Sequence, residues 1–288
     1  MPQLAYVDGR ILPLSAASVP VEDRGLQFGD AIYEVVAILN GRPLDWDGHM
    51  VRLRRNLAEL AIDLPMSDAA FGLQARRLLA LNGHKDAILY VQIGRGAAKR
   101  DHAFPARARA SLVMTVRRFD FAQRVRQLET GVSVITRPDQ RWARVDIKTV
   151  GLLPNALAKQ AAREAGAFEA WLVAADGTVR EGSSTNAWMV KDGTLFTHPT
   201  GTSILPGIAR DTLQKLARSA QIKVAEQPFS LDAARAADEA FLTSTTAPIL
   251  PVVRIDGAPV ADGQPGPITR RLAGLVWDEI HRQTGWAA

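Results

Sequence analysis

Phe28-Gly29-Asp30-Ala31-Ile32-Tyr33-Glu34-Val35-Val36-Ala37-Ile38-Leu39 is a run rich in apolar and β-branched residues that stops at Asn40-Gly41, a dipeptide suited to the tight turn of a hairpin. The run predicts a strand that doubles back. Leu4 to Leu12 repeats the pattern around Asp8-Gly9, and in the second half Glu169 to Ala174 and Thr185 to Val190 flank Asp176-Gly177, with Asp192-Gly193 marking a further hairpin. Short turns join antiparallel strands, whereas parallel strands need a long crossover. Hairpins in both halves therefore predict an α+β fold in place of a doubly wound parallel sheet.

Beyond the first hairpin the period changes. Met50, Leu53, Leu57 and Leu60 recur every three to four residues, which sets one apolar stripe on a helix that Pro65 ends. A second helix is predicted over Ser67 to Leu81, then strands over Ala87 to Ile93 and Ser111 to Val116. Arg117 to Gln123 has no clear period, which places the division there: an N-terminal α+β domain over 1–118, a linker over 119–124 and a C-terminal α+β domain over 125–288. The second half reads as a strand over Val132 to Thr136 and a helix from Pro154 to Ala165, with proline in its first turn and Gly166 at its end. A helix follows Pro206-Gly207 and runs to about Ser219, strands cover Glu239 to Thr243 and Pro251 to Ile255, and a helix over Ile268 to Gln283 closes the chain.

The chain has 288 residues, 47% of them hydrophobic and 23% charged, with no cysteine. That length allows a large core and a dry site, and the missing cysteines exclude disulfides and thiolate metal sites. No apolar run reaches the roughly 20 residues that span a bilayer, and the N-terminus lacks the basic and apolar regions of a leader, so a cytoplasmic location is expected. The formal charge of +5 is scattered along the chain and not gathered into a stripe or tail, which argues against nucleic acid and for small anionic substrates.

Two segments carry chemistry. In Arg144-Val145-Asp146-Ile147-Lys148, Val145 and Ile147 suggest a strand that places Asp146 and Lys148 on one face. Glu181-Gly182-Ser183-Ser184-Thr185-Asn186 reads as a polar turn opened by an acid. A lysine amine can capture the aldehyde of pyridoxal 5'-phosphate as a Schiff base, and an acid can keep the ring nitrogen of that cofactor protonated. A phosphate needs free amides, and Ile204-Leu205-Pro206-Gly207-Ile208-Ala209-Arg210 offers a glycine turn feeding a helix N-terminus, with Thr243-Ser244-Thr245-Thr246 as a second cradle. Neither matches a P-loop or a dinucleotide fingerprint, and no metal motif is present.

Together these segments resemble the fold-type IV family of pyridoxal-phosphate enzymes over nearly the whole chain. Asp23-Arg24-Gly25-Leu26-Gln27-Phe28-Gly29-Asp30, Tyr33-Glu34-Val35-Val36, Asp146-Ile147-Lys148, Glu181-Gly182-Ser183-Ser184, Ile204-Leu205-Pro206-Gly207-Ile208 and Thr243-Ser244-Thr245-Thr246 occur in the family's order. The resemblance implies a two-domain fold with pyridoxal 5'-phosphate at the domain interface. Lys148 would be the Schiff-base lysine and Glu181 the partner of the ring nitrogen. Arg52, Ser183, Thr185, Leu205, Gly207, Ile208, Ala209, Ser244 and Thr245 would complete the cofactor site. The family includes D-amino-acid, branched-chain and (R)-amine transaminases and aminodeoxychorismate lyase. Tyr33-x-Val35 and the Arg100-x-His102 pair look like the D-amino-acid branch, so the resemblance implies that Tyr33, Arg100 and His102 bind a substrate α-carboxylate and that Val35 and Thr246 also contact the substrate. It also implies a homodimer in which the Arg100/His102 loop completes the neighbouring site. Ala209 departs from the pattern, since the family often has a threonine there.

Overall fold

The structure, a computed structural model, describes residues 3–287. The chain divides into two compact units, the first drawn from Met1–Asp120, Ile147–Gly151 and Gln283–Trp286, the second from Phe121–Asp146, Leu152–Arg282 and Ala287–Ala288. Both mix helices with largely antiparallel sheet, as an α+β fold requires.

In the first unit the chain runs β1 (Leu4–Val7), β2 (Arg10–Pro13), α1 (Arg24–Phe28), β3 (Ala31–Leu39), β4 (Arg42–Pro43), α2 (Trp46–Glu59), α3 (Asp68–Asn82), β5 (Ala87–Gly94) and β6 (Ser111–Arg118). Its six strands form an antiparallel sheet in the order β2-β1-β6-β5-β3-β4. Asp8 and Gly9 take positive φ at the first hairpin, as do Asn40 and Gly41 at the next, so each pair sits in the conformation that glycine and asparagine tolerate best. The core lies between the sheet and the two longer helices: Ile32, Val36 and Ile38 of β3 meet Leu53, Leu57, Phe71 and Leu78. α3 starts where the Ser67 hydroxyl accepts from the Ala70 amide at 3.3 Å and stops at Gly83 in the left-handed region.

Three local expectations change. β3 begins at Ala31, because Asp23 caps the short helix α1 by accepting from the Leu26 amide at 3.3 Å and Gly29 ends it with φ of 69°. α2 ends at Glu59, well before Pro65. The segment around Lys148 is no strand. Residues 143–146 form a turn, and Asp146 and Ile147 are both buried, so the two-residue alternation fails. Ile147–Gly151 lies instead along the edge of β3 that β4 leaves open: the Tyr33 amide donates to the Lys148 carbonyl at 3.0 Å, and the Val150 amide to the Ala31 carbonyl at 3.1 Å.

The second unit contains α4 (Ala122–Thr130), β7 (Val132–Pro138), α5 (Leu153–Glu164), β8 (Glu169–Val173), β9 (Thr178–Gly182), β10 (Asn186–Lys191), β11 (Thr194–Thr197), α6 (Ile208–Ser219), β12 (Lys223–Glu226), β13 (Phe229–Ser230), α7 (Leu231–Arg235), β14 (Glu239–Thr243), β15 (Leu250–Ile255), β16 (Ala258–Pro259) and α8 (Pro267–Thr284) as far as Arg282. The strand order is β12-β11-β10-β14-β15-β7-β8-β9-β13, with β16 on β15. Parallel pairs join β11 to β12, β15 to β7 and β7 to β8. Trp188 stacks on Phe241 with ring centres 5.4 Å apart and donates its indole N–H to the Thr243 hydroxyl at 3.0 Å, which satisfies the one polar atom of a fully buried ring. Sequence patterning gave no sign of α4, which buries none of its residues fully, or of β9, whose Thr-Val-Arg-Glu-Gly is too polar to stand out. β9 matters because it carries Glu181, so that acid stands on a strand end and not in a turn.

Candidate active site

β3 sorts its side chains by the two-residue period of a strand. Ile32, Glu34, Val36 and Ile38 face the core and are fully buried, while Tyr33 and Val35 are half-buried on the opposite face. Glu34 is thus a carboxylate in an apolar row. It is stabilised by α2, where His49 and Arg52 stand three residues apart on one side of the helix. Arg52 donates from Nε to Oε1 at 2.7 Å and from Nη2 to Oε2 at 2.8 Å, and His49 Nδ1 lies 2.8 Å from Oε2. Burial pushes the Glu34 carboxyl up, but the Arg52 charge and the hydrogen bonds from Arg52 and His49 outweigh it and hold it at about 2. The expected phosphate ligand is therefore a guanidinium fixed in orientation by a buried acid.

Lys148 lies on the other face of the same strand. Its Nζ sits 4.0 Å from the centre of the Tyr33 ring, a cation–π arrangement, and the Tyr33 ring stacks on Tyr90 at 5.7 Å. Burial, with the neighbouring Tyr33, pushes the Tyr90 phenol up to about 12, and Tyr90 donates to Gln92 Oε1 at 2.8 Å. Tyr33 and Lys148 are thus brought together, while Val35 follows them on the same face. Arg100 and His102 stand in the exposed segment between β5 and β6. Both flank Phe28: the guanidinium carbon of Arg100 is 5.1 Å and the imidazole centre of His102 is 5.5 Å from the Phe28 ring centre.

In the second unit, donors converge on Glu181. Arg141 Nη1 bonds Oε1, Asn186 Nδ2 donates to Oε2 at 2.9 Å, and the Leu205 amide donates to both oxygens at 3.1 Å. Arg141 is itself clamped by Asp139 at 2.8 Å. Burial alone would lower the Arg141 guanidinium, yet Asp139 and Glu181 outweigh it and raise it above its ordinary value. The turn after β9 is held by Glu169, whose oxygens accept from the Ser183 hydroxyl at 2.5 Å and the Ser184 hydroxyl at 2.7 Å. Thr185 Oγ1 is buried with no hydrogen-bond partner, so one hydroxyl of the expected cofactor set is a donor awaiting an acceptor.

Gly207 precedes α6, and a Cβ there would come within 2.0 Å of Asn186 Oδ1. Any larger residue there would have to displace the Asn186 side chain. No side chain caps α6, whose first ladder bond runs from the Asp211 amide to the Gly207 carbonyl. The amides of Ile208 and Ala209 lie in the first turn, where the helix dipole favours an anion. Ser244 closes a tight turn with Ala247, accepting from its amide at 3.0 Å, and Thr245 and Thr246 are half-buried within it. In the second unit an orphaned hydroxyl and uncapped first-turn amides are donors that fit a phosphate, and in the first unit Arg52 is a guanidinium already oriented by an acid. Sequence reading missed Glu34, His49, Arg141 and Asn186 as supports. The alternation along β3 was a signal for Glu34, whereas no local pattern marks Arg141.

The description "Amino-transferase class IV" matches residues 31–255. A D-alanine aminotransferase of Bacillus licheniformis is 40% identical over 277 residues, 96% of this chain and 97% of that one. Another, from Listeria innocua, is 39% identical over 280 residues, covering 97% and 96% of the two chains. Among solved structures, the branched-chain amino acid aminotransferase of Escherichia coli superposes with a TM-score of 0.91 at 26% identity, covering all of this chain and 97% of that one. The matched range spans the segments that carry β3, Lys148, Glu181 and the α6 turn, and the chain belongs to the class IV aminotransferase family.

Proposed function

We propose that this protein transfers the amino group of D-amino acids to 2-oxo acids, with D-alanine as a donor type, 2-oxoglutarate as an acceptor type and pyridoxal 5'-phosphate as cofactor. The observation that carries the reading is near-full-length identity of about two residues in five with D-alanine aminotransferases, in a chain that keeps both Lys148 and Glu181. When bound, the cofactor supplies the electron sink that makes a Cα proton removable.

The chain's own residues divide the work. Lys148 would hold the cofactor through its amine and, once released by an incoming amino acid, take the Cα proton on Nζ and return it elsewhere. Acid–base catalysis of this kind contributes on the order of 10²- to 10⁴-fold. Glu181 would hold a proton on the ring nitrogen, with Arg141, Asn186 and the Leu205 amide fixing its orientation. Arg52, Ser183, Thr185, Gly207, Ser244 and the amides of Ile208, Ala209 and Thr245 would hold the phosphate end. Tyr33, Arg100 and His102 would bind the substrate α-carboxylate, Val35 and Thr246 lining its place. In this reading two copies associate, each lending its Arg100/His102 loop to the other's site. A cytoplasmic location suits substrates of this kind.

The test is the half-reaction of cofactor-loaded protein with D-alanine and, separately, L-alanine, without acceptor. Conversion of the cofactor's absorption band by the D form alone supports the reading. Conversion by L-alanine alone, or by neither, overturns it.

A further inference from the structure

The motif Asp23 to Asp30 has no role in the reading above, yet it contains one of the most thoroughly bonded cations of the first unit. Arg24 is 2% exposed. Its Nε donates to Asp30 Oδ2 at 2.8 Å, while Nη1 donates to the Asp101 carbonyl at 2.6 Å and Nη2 to the His102 carbonyl at 3.4 Å. A single guanidinium therefore ties the core of the unit to the main chain of the Arg100-x-His102 loop. Asp30 is fixed in turn by Arg95, which bonds its two oxygens at 2.7 and 3.1 Å and anchors to the Leu60 and Ala61 carbonyls.

Aromatic rings complete the mount. Phe28 lies 4.7 Å from the Arg24 guanidinium and carries Arg100 and His102 against it. Phe104 lies 3.5 Å from the Arg95 guanidinium. The loop's neck is pinned as well: the Arg24 amide donates to the Gly96 carbonyl at 2.9 Å, and Gly96 has φ of 92° and runs so close to Arg109 that a Cβ would meet its carbonyl oxygen at 2.0 Å.

We propose that Arg24, seated on Asp30 and Phe28, is a positioning residue for carboxylate recognition: it sets the backbone at Asp101 and His102, and thereby where Arg100 and His102 meet the substrate. The proposal rests on the carboxylate role given to that pair above. An Arg fork serves three acceptors in one plane, which a lysine ammonium on a flexible stem does not reproduce. Loss of the fork leaves the charge opposite Asp30 but frees the loop.

The experiment is a cycle on the holoenzyme with Arg24→Lys, the double variant Arg100→Gln/His102→Gln, and all three changes together. Arg24→Lys is expected to raise KM for D-alanine about tenfold, equivalent to about 1.4 kcal/mol of binding, with kcat and cofactor retention close to those of the parent. In the double-variant background the same change should add nothing to KM. Phe28→Leu, which leaves the ion network intact, is a second probe and should also raise KM selectively. An equal KM penalty from Arg24→Lys in both backgrounds, or a loss of kcat and cofactor without a KM effect, overturns the positioning role. If the double variant itself leaves KM for D-alanine unchanged, the carboxylate role of Arg100 and His102 falls and this proposal with it. If the double variant raises KM and Arg24→Lys does not, only the proposal for Arg24 falls.

Discussion

Replacing Glu34 by glutamine removes a charge that sits fully buried between β3 and α2. At neutral pH the wild-type carboxylate is bonded by both a guanidinium and an imidazole. Breaking a buried pair of this kind costs about 3–5 kcal/mol, because the remaining charge keeps its desolvation penalty. The pH dependence is sharper. Glu34 is held at about 2 against an ordinary value of 4.5, so its folded pKa is depressed. Its contribution is fully present above about pH 4.5 and is lost as pH falls toward 2, for a total of about 3 kcal/mol. By pH 3 the wild type should have lost about 2 kcal/mol of that sum, and Glu34→Gln none of it. Urea unfolding of the cofactor-free proteins at pH 6.5 and pH 3, at one protein concentration, measures both. The stability gap between the two proteins should narrow by about 2 kcal/mol on acidification. A gap of the same size at both pH values would refute the ion-pair account of this carboxylate.

Other changes address the proposed cofactor site. Lys148→Ala should abolish turnover together with the absorption that marks covalently held cofactor, while the variant still binds the free cofactor weakly; normal catalysis sinks the assignment. Gly207→Ala places a Cβ where Asn186 Oδ1 lies and should displace Asn186 from Glu181, slowing turnover and loosening the cofactor, as read by dialysis and residual activity. Unchanged retention in that variant means the turn relaxes without disturbing Asn186. Ala209→Thr adds a hydroxyl at the first turn of α6 and should slow cofactor loss on dialysis by about 2- to 10-fold, from one further hydrogen bond of about 0.5–1.5 kcal/mol; equal or faster loss rejects it.

What was legible in the sequence follows from the range of the forces involved. Hairpins at Asp8-Gly9, Asn40-Gly41 and Asp192-Gly193 are local events, written in residues that tolerate positive φ, and all three occur. The helix after Gly207 and the stripe of α2 are likewise local patterns. The Lys148 segment was misread as a strand because valine and isoleucine flank an aspartate, whereas its actual conformation is decided by a remote partner, the open edge of β3. The supports of Glu181 are invisible for the same reason. Arg141 is 40 residues distant in sequence, and only the folded sheet brings the two side chains together. Residue types named candidates for chemistry, but the acids and guanidiniums that orient them come from long-range packing.

The strap Ile147–Gly151 has a second consequence. A strand edge with unpaired amides and carbonyls is a template for another chain, and folded proteins protect such edges from aggregation. The strap covers the edge at the start of β3 through main-chain bonds at Tyr33, Lys148, Ala31 and Val150. The residue proposed for covalent chemistry is thus mounted on the piece that covers the edge of the sheet. Because the seal uses backbone atoms alone, the side chain at 148 is free to change without exposing the edge. A chain that lost the amine would lose the proposed covalent attachment and keep the edge covered, whereas a proline at Val150, lacking the N–H, would open it.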